Sequence, residues 1–258
     1  MTEIVALAPR LARRVAAARR AVVLTGAGVS EESGLGTFRG PGGLWEEFRP
    51  EELATPEAFA RRPRRVWDWY AARHRTMAAA APNAAHRALA RWPALFPSFL
   101  LVTQNIDQLH QRAGSPEVVE LHGTLMAARC GSCGARRPMA ELILAGGTIE
   151  DERPPRCSCG GLWRPDVVWF GEELPGEAID RAQRAAASCD LFVSAGTSAT
   201  VFPAAGLIAL ARQAGAVIIE VNPEATAFSD LADLRLPGAA GTHLPALTAA
   251  IEACRSPG

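Results

Sequence analysis

The chain has 258 residues, of which 48% are hydrophobic, so it can bury a sizeable core in one large domain or two unequal lobes. Its 27 basic and 27 acidic residues give a formal net charge of zero, so total charge gives no reason to expect nucleic acid or an anionic membrane as a partner. The chain contains no lysine, and the excess of arginine, alanine, glycine and proline is typical of a GC-rich coding sequence.

The N-terminal segment predicts a helix over Glu3–Arg20. Its arginines are spread among alanines, and no uncharged apolar stretch with a small-residue cleavage site follows, so we do not expect a secretory signal. An arginine-rich transit peptide is the alternative. No apolar run approaches the roughly 20 residues that span a bilayer. We therefore expect a cytoplasmic protein whose first helix opens the folded domain.

Short apolar runs rich in β-branched residues recur along the chain and are typical of buried parallel strands. These runs are Ala21–Thr25, Phe99–Thr103, Val118–Leu121, Val167–Phe170, Leu191–Ser194 and Val217–Val221. Helical patterns at Pro203–Ala214 and Pro245–Cys254 alternate with them. The alternation predicts an α/β fold with a Rossmann-like, doubly wound parallel sheet, in which ligands bind beyond the carboxyl ends of the strands.

Two stretches interrupt this alternation. The first carries helical patterns and prolines, and the second carries two pairs of cysteines. We therefore predict a single domain over 1–258 with two lobes. The large lobe takes about 1–41, 93–123 and 165–258, and the small lobe takes about 42–92, which is helical, and 124–164, which binds zinc.

The cysteine pairs predict a structural zinc ribbon. Cys130 and Cys133 are separated by 23 residues from Cys157 and Cys159. In a chain without a secretory signal such pairs favour a metal over disulfides, and four thiolates suit tetrahedral zinc with no position left open for catalysis. Unrelated buried cysteines are one alternative. A nucleic-acid-binding ribbon is another, but no basic cluster surrounds the pairs.

A glycine-rich turn follows the first predicted strand. Gly26 and Gly28 let the backbone turn tightly, and exposed N–H groups there can cradle a pyrophosphate. The match to a dinucleotide fingerprint is incomplete, because Glu31 stands where the third glycine is expected. A strand-to-helix turn that needs glycine for geometry alone is the alternative interpretation.

Polar residues follow two other predicted strands. Asn105 and Asp107 come after Phe99–Thr103, and His122 comes after Val118–Leu121. Both strand ends should point into the crevice that the glycine turn faces. Polar groups that are buried at such strand ends either bind a ligand or form hydrogen bonds within the protein. Asp107 as a helix cap and His122 as a satisfied core residue are the alternatives.

Taken together, these motifs resemble the sirtuin family. The resemblance rests on Gly26–Gly34, Thr37–Gly40, Gly43–Trp45, Gln104–Asp107 and Glu120–Gly123. It implies a single sirtuin catalytic domain that works as an NAD-dependent protein-lysine deacylase. The products would be nicotinamide, O-acyl-ADP-ribose and free lysine. The Cys-x-Cys spacing of the second pair resembles a bacterial sirtuin variant.

The resemblance also implies residue roles. Asp107 would hold the nicotinamide carboxamide, Asn105 and Gln104 would position the ribose and a water, and His122 would be the general base. An imidazole with a pKa near 6.5 suits proton removal from a ribose hydroxyl at neutral pH. Phe38 and Arg39 would belong to a mobile loop over NAD. The implied cofactor-binding residues are Gly26, Ala27, Gly28, Ser30, Ser33, Phe38, Arg39, Trp45, Gln104, Asn105, Ile106, Asp107, Gly196, Thr197, Ser198, Asn222, Pro223, Glu224 and Ala240.

The substrate side is implied in the same way. The backbone of Val168–Glu172 would pair with the substrate peptide, and Phe170 would line the acyl-lysine tunnel. The Tyr70-x-x-Arg73 pattern resembles the class III branch, which removes succinyl and malonyl groups as well as acetyl. Arg73 and Tyr70 share a helix face and can bind a carboxylate together. A solvated surface arginine is the alternative. The expected substrate-binding residues are Tyr70, Arg73, Val168, Phe170, Gly171 and Glu172.

Other functions share parts of these motifs. A dehydrogenase would reduce NAD, and a mono-ADP-ribosyltransferase on the same scaffold would cleave NAD without needing an acylated lysine. A non-catalytic zinc-ribbon module does not account for Asn105, Asp107 and His122. We expect acylated-lysine proteins as substrates, neither nucleic acid nor membrane as a partner, and a monomer.

Overall fold

The computed structural model describes residues 7–39, 42–145 and 154–255. Its strands form a six-stranded parallel sheet and a three-stranded antiparallel sheet. In the described part of the chain, every helix falls short of the length or the apolarity that a bilayer span needs. The strands are β1 (Arg20–Thr25), β2 (Ser98–Thr103), β3 (Val118–Glu120), β4 (Gly123–Cys130), β5 (Arg136–Pro138), β6 (Trp163–Val167), β7 (Leu191–Ala195), β8 (Val217–Val221) and β9 (Leu234–Leu236).

The helices lie on both sides of the large sheet and around the small one. They are α1 (Pro9–Ala17), α2 (Leu44–Glu47), α3 (Pro50–Leu53), α4 (Pro56–Arg61), α5 (Pro63–Ala79), α6 (Ala84–Leu89), α7 (Leu109–Arg112), α8 (Met139–Ala145), α9 (Gly176–Ala186), α10 (Gly206–Gln213) and α11 (Ala240–Arg255). Several begin with proline, which presets the first helical φ and lacks only an N–H that would have no partner there.

The large sheet has the strand order β3-β2-β1-β7-β8-β9, with every pairing parallel. Strands β7 and β8 are buried along their whole length because helices cover both faces. Residues of α1, α6 and α11 pack on one face, and residues of α9 and α10 pack on the other. The predicted doubly wound α/β fold is confirmed, and its topological switch lies between β1 and β7.

The small lobe has a hydrophobic core of its own. Helix α5 contributes Val66, Tyr70, His74 and Met77, whose spacing of three or four residues places them on one buried face. Apolar residues of β4 and β6 close the other side of this core. The stretch from 42 to 92 contains helices but no strand among its described residues, as predicted. The limits of the two lobes stay a prediction.

The prediction of a parallel strand at Val167–Phe170 is wrong. Strand β6 ends at Val167 and pairs antiparallel with β4 in the small sheet. The Val168 N–H then donates to the carbonyl of His122, just before β4, at 2.9 Å. An apolar β-branched run identifies a buried strand, but it does not specify which strand becomes its partner.

Two predicted helices differ in their bounds. Helix α1 ends at Ala17, because Arg20 already starts β1, while residues 3–6 of the prediction lie outside the described residues. Helix α11 begins at Ala240 rather than Pro245. The Glu32 carboxylate accepts a hydrogen bond from the Gly241 N–H at 2.5 Å and stabilises this start of the helix.

The loop after β1 and the turn after β7 touch backbone to backbone. The Gly28 N–H donates to the Gly196 carbonyl at 2.9 Å. A Cβ added to Gly196, whose φ is +58°, would lie 2.4 Å from the backbone nitrogen of Val29. No side chain larger than hydrogen fits between these two segments.

We expect Gly196→Ala to destabilise the protein more than Gly215→Ala. Both glycines have a positive φ, but an alanine Cβ at Gly215 meets open space. Both substitutions cost about 1–2 kcal/mol for the left-handed backbone, and Gly196→Ala adds about 1–3 kcal/mol for overlap. Denaturant unfolding of the two variants measures the difference. Equal losses of stability would contradict the close contact.

Candidate active site

The residues predicted to bind the cofactor lie at the carboxyl ends of β1, β2 and β7. The Gly26 N–H donates to the Ala195 carbonyl at 3.0 Å, and this bond joins the loop after β1 to the end of β7. Gln104, at the end of β2, donates from its side-chain amide to the Thr197 hydroxyl at 2.9 Å. The sheet thus brings three separate segments of the sequence to one edge.

Several N–H groups of the glycine loop form hydrogen bonds within the protein. The N–H groups of Gly26, Gly28, Val29 and Ser30 all donate to carbonyls within the protein. These donors are therefore not free for a pyrophosphate. Gly26 and Gly28 allow close packing against Gly196 and Thr197, and their role toward a pyrophosphate stays a prediction.

A buried polar network links the glycine loop to the residues after β2. The Ser30 hydroxyl donates to Asp107 Oδ2 at 2.7 Å. The Asn105 side-chain amide donates to the Gly26 carbonyl at 3.1 Å and lies 3.2 Å from the Ser30 hydroxyl. Asn105 and Asp107 are 6% and 4% exposed, so these bonds satisfy polar groups that water cannot reach.

Asp107 serves as a cap as well as a member of this network. Its Oδ1 accepts a hydrogen bond from the N–H of Leu109, the first residue of α7, at 2.8 Å. Burial raises the pKa of Asp107, while the bonds from Leu109 and Ser30 oppose that rise. The cap and the network together fix the direction of the carboxylate.

His122 follows β3 with one ring nitrogen bound to the backbone. Its Nδ1 lies 3.0 Å from the carbonyl oxygen of Gln104. A carbonyl can only accept, so Nδ1 carries the hydrogen and Nε2 is left as the basic nitrogen. Burial lowers the pKa of His122, against the bond to Gln104, so the neutral form prevails at pH 7.

Two buried histidines, which the sequence analysis did not identify as site residues, contact hydroxyl groups in and next to this network. His86 Nε2 lies 3.4 Å from the Ser30 hydroxyl, and the His86 ring packs 4.7 Å from the ring of His110. His110 Nε2 lies 2.9 Å from the Thr25 hydroxyl. Burial lowers the pKa of His86 to about 4 and that of His110 to about 3, so both are neutral. The Asn83-x-x-His86 capping box is the sequence signal that could have identified His86.

The remaining predicted cofactor positions lie near the carboxyl ends of the strands, but some of them make no hydrogen bond to the buried polar network. Ser198 is exposed, and its hydroxyl lies 2.9 Å from that of Thr200. Asn222 follows β8 and donates to the Glu224 carbonyl at 2.9 Å. Ile106 and Ala240 are buried, Ala240 as the first residue of α11. Ala27 and Ser33 lie in short 3-10 turns after β1, and Arg39, Pro223 and Glu224 lie in loops after β1 and β8.

Tyr70 and Arg73 lie on one face of α5, as predicted. The buried Tyr70 hydroxyl accepts a hydrogen bond from the Trp169 indole N–H at 3.0 Å and keeps its own hydrogen to donate. Burial raises the pKa of Tyr70, which therefore stays a neutral phenol. The Trp169 indole is a further contact that sequence interpretation did not assign.

Arg73 carries a charge inside this pocket. Burial lowers the pKa of Arg73 to about 10, so it remains a cation at neutral pH. Its Nε is buried, and no residue in the described ranges accepts a hydrogen bond from it. A buried cationic donor without a partner is costly, and an anionic ligand would satisfy it.

Some backbone N–H groups of the segment after β6 already form hydrogen bonds within the protein. Its N–H groups at Val168, Phe170 and Glu172 donate to His122, Ala54 and Trp169. The Glu172 carboxylate is held by Arg164 at 2.5 and 2.8 Å. Phe170 is 40% exposed, which leaves its ring accessible to a ligand. Backbone pairing with a peptide would therefore use other groups of this segment.

The four paired cysteines converge at one end of the small sheet. Their sulfur atoms all lie within 4.8 Å of one another. The Cys130–Cys159 and Cys133–Cys157 sulfur distances are 3.5 and 3.8 Å. Tetrahedral zinc with bonds of about 2.3 Å requires sulfurs about 3.8 Å apart. The donor set and the spacing fit a structural zinc ion.

Comparison with known proteins identifies the family. The model of the Sir2 family matches residues 26–203. The chain belongs to the Sir2 family. An NAD-dependent protein deacylase of Aquifex aeolicus is 48% identical over 229 residues, covering 86% of this chain and 91% of the relative.

Solved Sir2 structures agree with this membership. A Sir2 homolog in complex with NAD is 42% identical, with a TM-score of 0.85, over 99% of this chain and 98% of that one. A Sir2 complex with a p53 peptide and NAD+ is 31% identical, with a TM-score of 0.80, over 92% of this chain and 95% of that one. The family therefore accounts for the large sheet, its crevice and the cysteine lobe together.

In this Sir2 protein, we expect zinc removal to unfold the small sheet. Cys130→Ser should lose the metal, because three thiolates and a hydroxyl bind zinc more weakly. Metal analysis of the purified protein, together with circular dichroism, measures both effects. Cys254→Ser is the matched control, since Cys254 lies on α11 and should leave the zinc content unchanged. A full zinc complement in Cys130→Ser would contradict the assignment.

Proposed function

We propose that this chain is an NAD-dependent protein-lysine deacylase that removes acidic acyl groups, such as succinyl and malonyl, as well as acetyl. NAD-dependent protein deacylation is the activity named for relatives 48% and 49% identical to it. Those names do not favour the mono-ADP-ribosyltransferase alternative. The observation that carries the acidic-acyl proposal is the charged Arg73 guanidinium with a buried, unpartnered Nε among the described residues.

NAD fits the polar edge at the ends of β1, β2 and β7. When bound, it supplies an electrophilic ribose carbon, nicotinamide as the leaving group, and the ribose hydroxyl that receives the acyl group. We assign Asp107 to the nicotinamide carboxamide, and Asn105 with Gln104 to the ribose and a water. The network through Ser30 supports this assignment, because it holds Asn105 and Asp107 in place before any ligand binds.

His122 is assigned as the general base. Its Nε2 is the basic nitrogen, since Nδ1 donates to the Gln104 carbonyl. That nitrogen would take the proton of the ribose hydroxyl, which makes the hydroxyl a better nucleophile toward the acyl carbon. Before this step the acyl oxygen would displace nicotinamide from the ribose carbon, and after it water would add so that the lysine amine leaves. Nicotinamide, free lysine and an acyl ester of ADP-ribose would then be the products.

We expect His122→Ala to lower the deacylation rate by about 10²- to 10⁴-fold. The wild-type rate should fall as His122 becomes protonated. Because burial lowers the pKa of His122, the acid limb of kcat/KM should have its midpoint below the usual value of about 6.5. Rates measured against pH with one acetyl-lysine peptide test this. An acid limb above that value, or near-normal turnover by the variant, would rule out His122.

Arg73 and Tyr70 are assigned to the acyl carboxylate. The guanidinium can donate two parallel hydrogen bonds to a carboxylate, and Tyr70 can donate a third. The indole of Trp169 orients the Tyr70 hydroxyl by donating to its oxygen at 3.0 Å. An acetyl group has no carboxylate and makes none of these bonds.

Substituting Arg73 should therefore separate the two activities. Arg73→Met is expected to lower desuccinylation by about 10- to 150-fold, the value of a hydrogen bond to a charged group. Deacetylation should largely survive. The exposed Arg75, two residues further along α5, provides the matched control Arg75→Met. Peptides of one sequence with succinyl- or acetyl-lysine measure both rates, and equal loss of both activities would defeat the proposal.

We further propose that the enzyme works as a cytoplasmic monomer on acylated-lysine proteins, with neither nucleic acid nor a membrane as partner. The zero formal net charge supports the absence of anionic partners. The four clustered thiols suit a reducing compartment. A lysine within a peptide as substrate is supported by the peptide complex of the related Sir2 structure.

A further inference from the structure

The Arg73 guanidinium lies close to two aromatic rings that come from different parts of the chain. Its central carbon is 4.9 Å from the centroid of the Phe38 ring and 5.0 Å from that of Trp69. Trp69 precedes Arg73 by one turn on α5. Phe38 belongs to the segment between the glycine loop and α2. Phe38, which was predicted to bind the cofactor, therefore contacts the Arg73 guanidinium, which we assign to the acyl carboxylate.

Stacked rings and a carboxylate can occupy one guanidinium together. An aromatic ring attracts the cation through its face, whereas the N–H groups of arginine lie in the plane of the guanidinium. The two partners do not compete for the same atoms. Rings also exclude water from the guanidinium, which strengthens a hydrogen bond made at its edge.

Phe38 makes further contacts in this arrangement. The Trp45 N–H donates to the Phe38 carbonyl at 3.0 Å, and the two rings lie 5.4 Å apart. The Trp45 ring in turn stacks on that of Trp69 at 6.1 Å and meets the edge of Phe170 at 6.3 Å. The rings form a continuous wall that runs from the cofactor segment to the accessible Phe170.

We propose that Phe38 is a specificity-determining residue, whose ring holds and desolvates Arg73 so that the guanidinium binds an acidic acyl group. This inference rests on the proposed function, since it acts through Arg73. The wild-type preference for succinyl- over acetyl-lysine then depends on an aromatic ring at position 38, although that ring makes no bond to the carboxylate. A cation–π contact of this kind corresponds to a preference of about 3- to 30-fold.

The test compares kcat/KM for succinyl-lysine and acetyl-lysine peptides of one sequence, using the full-length enzyme loaded with zinc. The ratio of the two values removes any effect of Phe38 on NAD, because NAD is common to both reactions. Phe38→Leu should lower the ratio by about 3- to 30-fold, and Phe38→Tyr should keep it within about 2-fold. Phe48→Leu is the matched control, because Phe48 packs against Trp69 at 6.1 Å, while the cation–π contacts of Arg73 in the described ranges are with Phe38 and Trp69.

An unchanged ratio in Phe38→Leu overturns the inference, as does an equal fall in Phe38→Tyr or Phe48→Leu. Arg73→Met separates this result from failure of the proposed function. If Arg73→Met lowers the ratio and Phe38→Leu does not, only the role of Phe38 is wrong. If Arg73→Met leaves the ratio unchanged, both proposals are wrong. Should Phe38→Leu lose turnover with both peptides, the ratio of their dissociation constants by calorimetry gives the same decision.

Discussion

Two stretches of backbone meet without side chains between them where the loop after β1 crosses the turn after β7. Gly28 and Gly196 make this contact, and a Cβ on either residue would overlap the other segment. The contact lies at the topological switch of the sheet, where the chain leaves β1 on one side and returns through β7 on the other. It brings Ser30 within reach of Asn105 and Asp107, so the polar centre depends on it.

The polar centre formed by Ser30, Asn105 and Asp107 is supported mainly by neutral groups. His86 and His110 are buried with lowered pKa values and interact with the hydroxyls of Ser30 and Thr25. Neutral donors and acceptors orient the Asp107 carboxylate without the strong attraction of a buried cation. A carboxylate held in this way keeps capacity to interact with a ligand, and its burial makes that interaction stronger than in water.

The sequence predicted the large sheet well because its central strands are continuous apolar runs between loops. The same rule misassigned Val167–Phe170, because hydrophobicity does not distinguish a parallel from an antiparallel neighbour. The four cysteines were predicted chiefly from the short separation within each pair, which is typical of zinc ribbons. Local patterns were therefore sufficient wherever the physical constraint is itself local.

The parts that escaped prediction depend on contacts between distant segments. His86 meets Ser30 across 56 positions, and Trp169 meets Tyr70 across 99. No period or spacing in the sequence encodes such pairs. The glycine loop shows the same limit, because the N–H groups of Gly26 and Gly28 donate to the carbonyls of Ala195 and Gly196, which are distant in the sequence. Only the folded chain reveals that those glycines serve packing.

The backbone bond to His122 has an evolutionary consequence. Its Nδ1 hydrogen is held by a main-chain carbonyl, which is present whatever side chain occupies position 104. Substitutions around the acyl pocket, on α5 or in the segment of Phe38, therefore leave the tautomer of the base intact. The proposed acyl pocket and the proposed general base are thus separable under selection. A lineage can change its preferred modification through a few side chains while the chemistry of NAD cleavage is inherited unchanged.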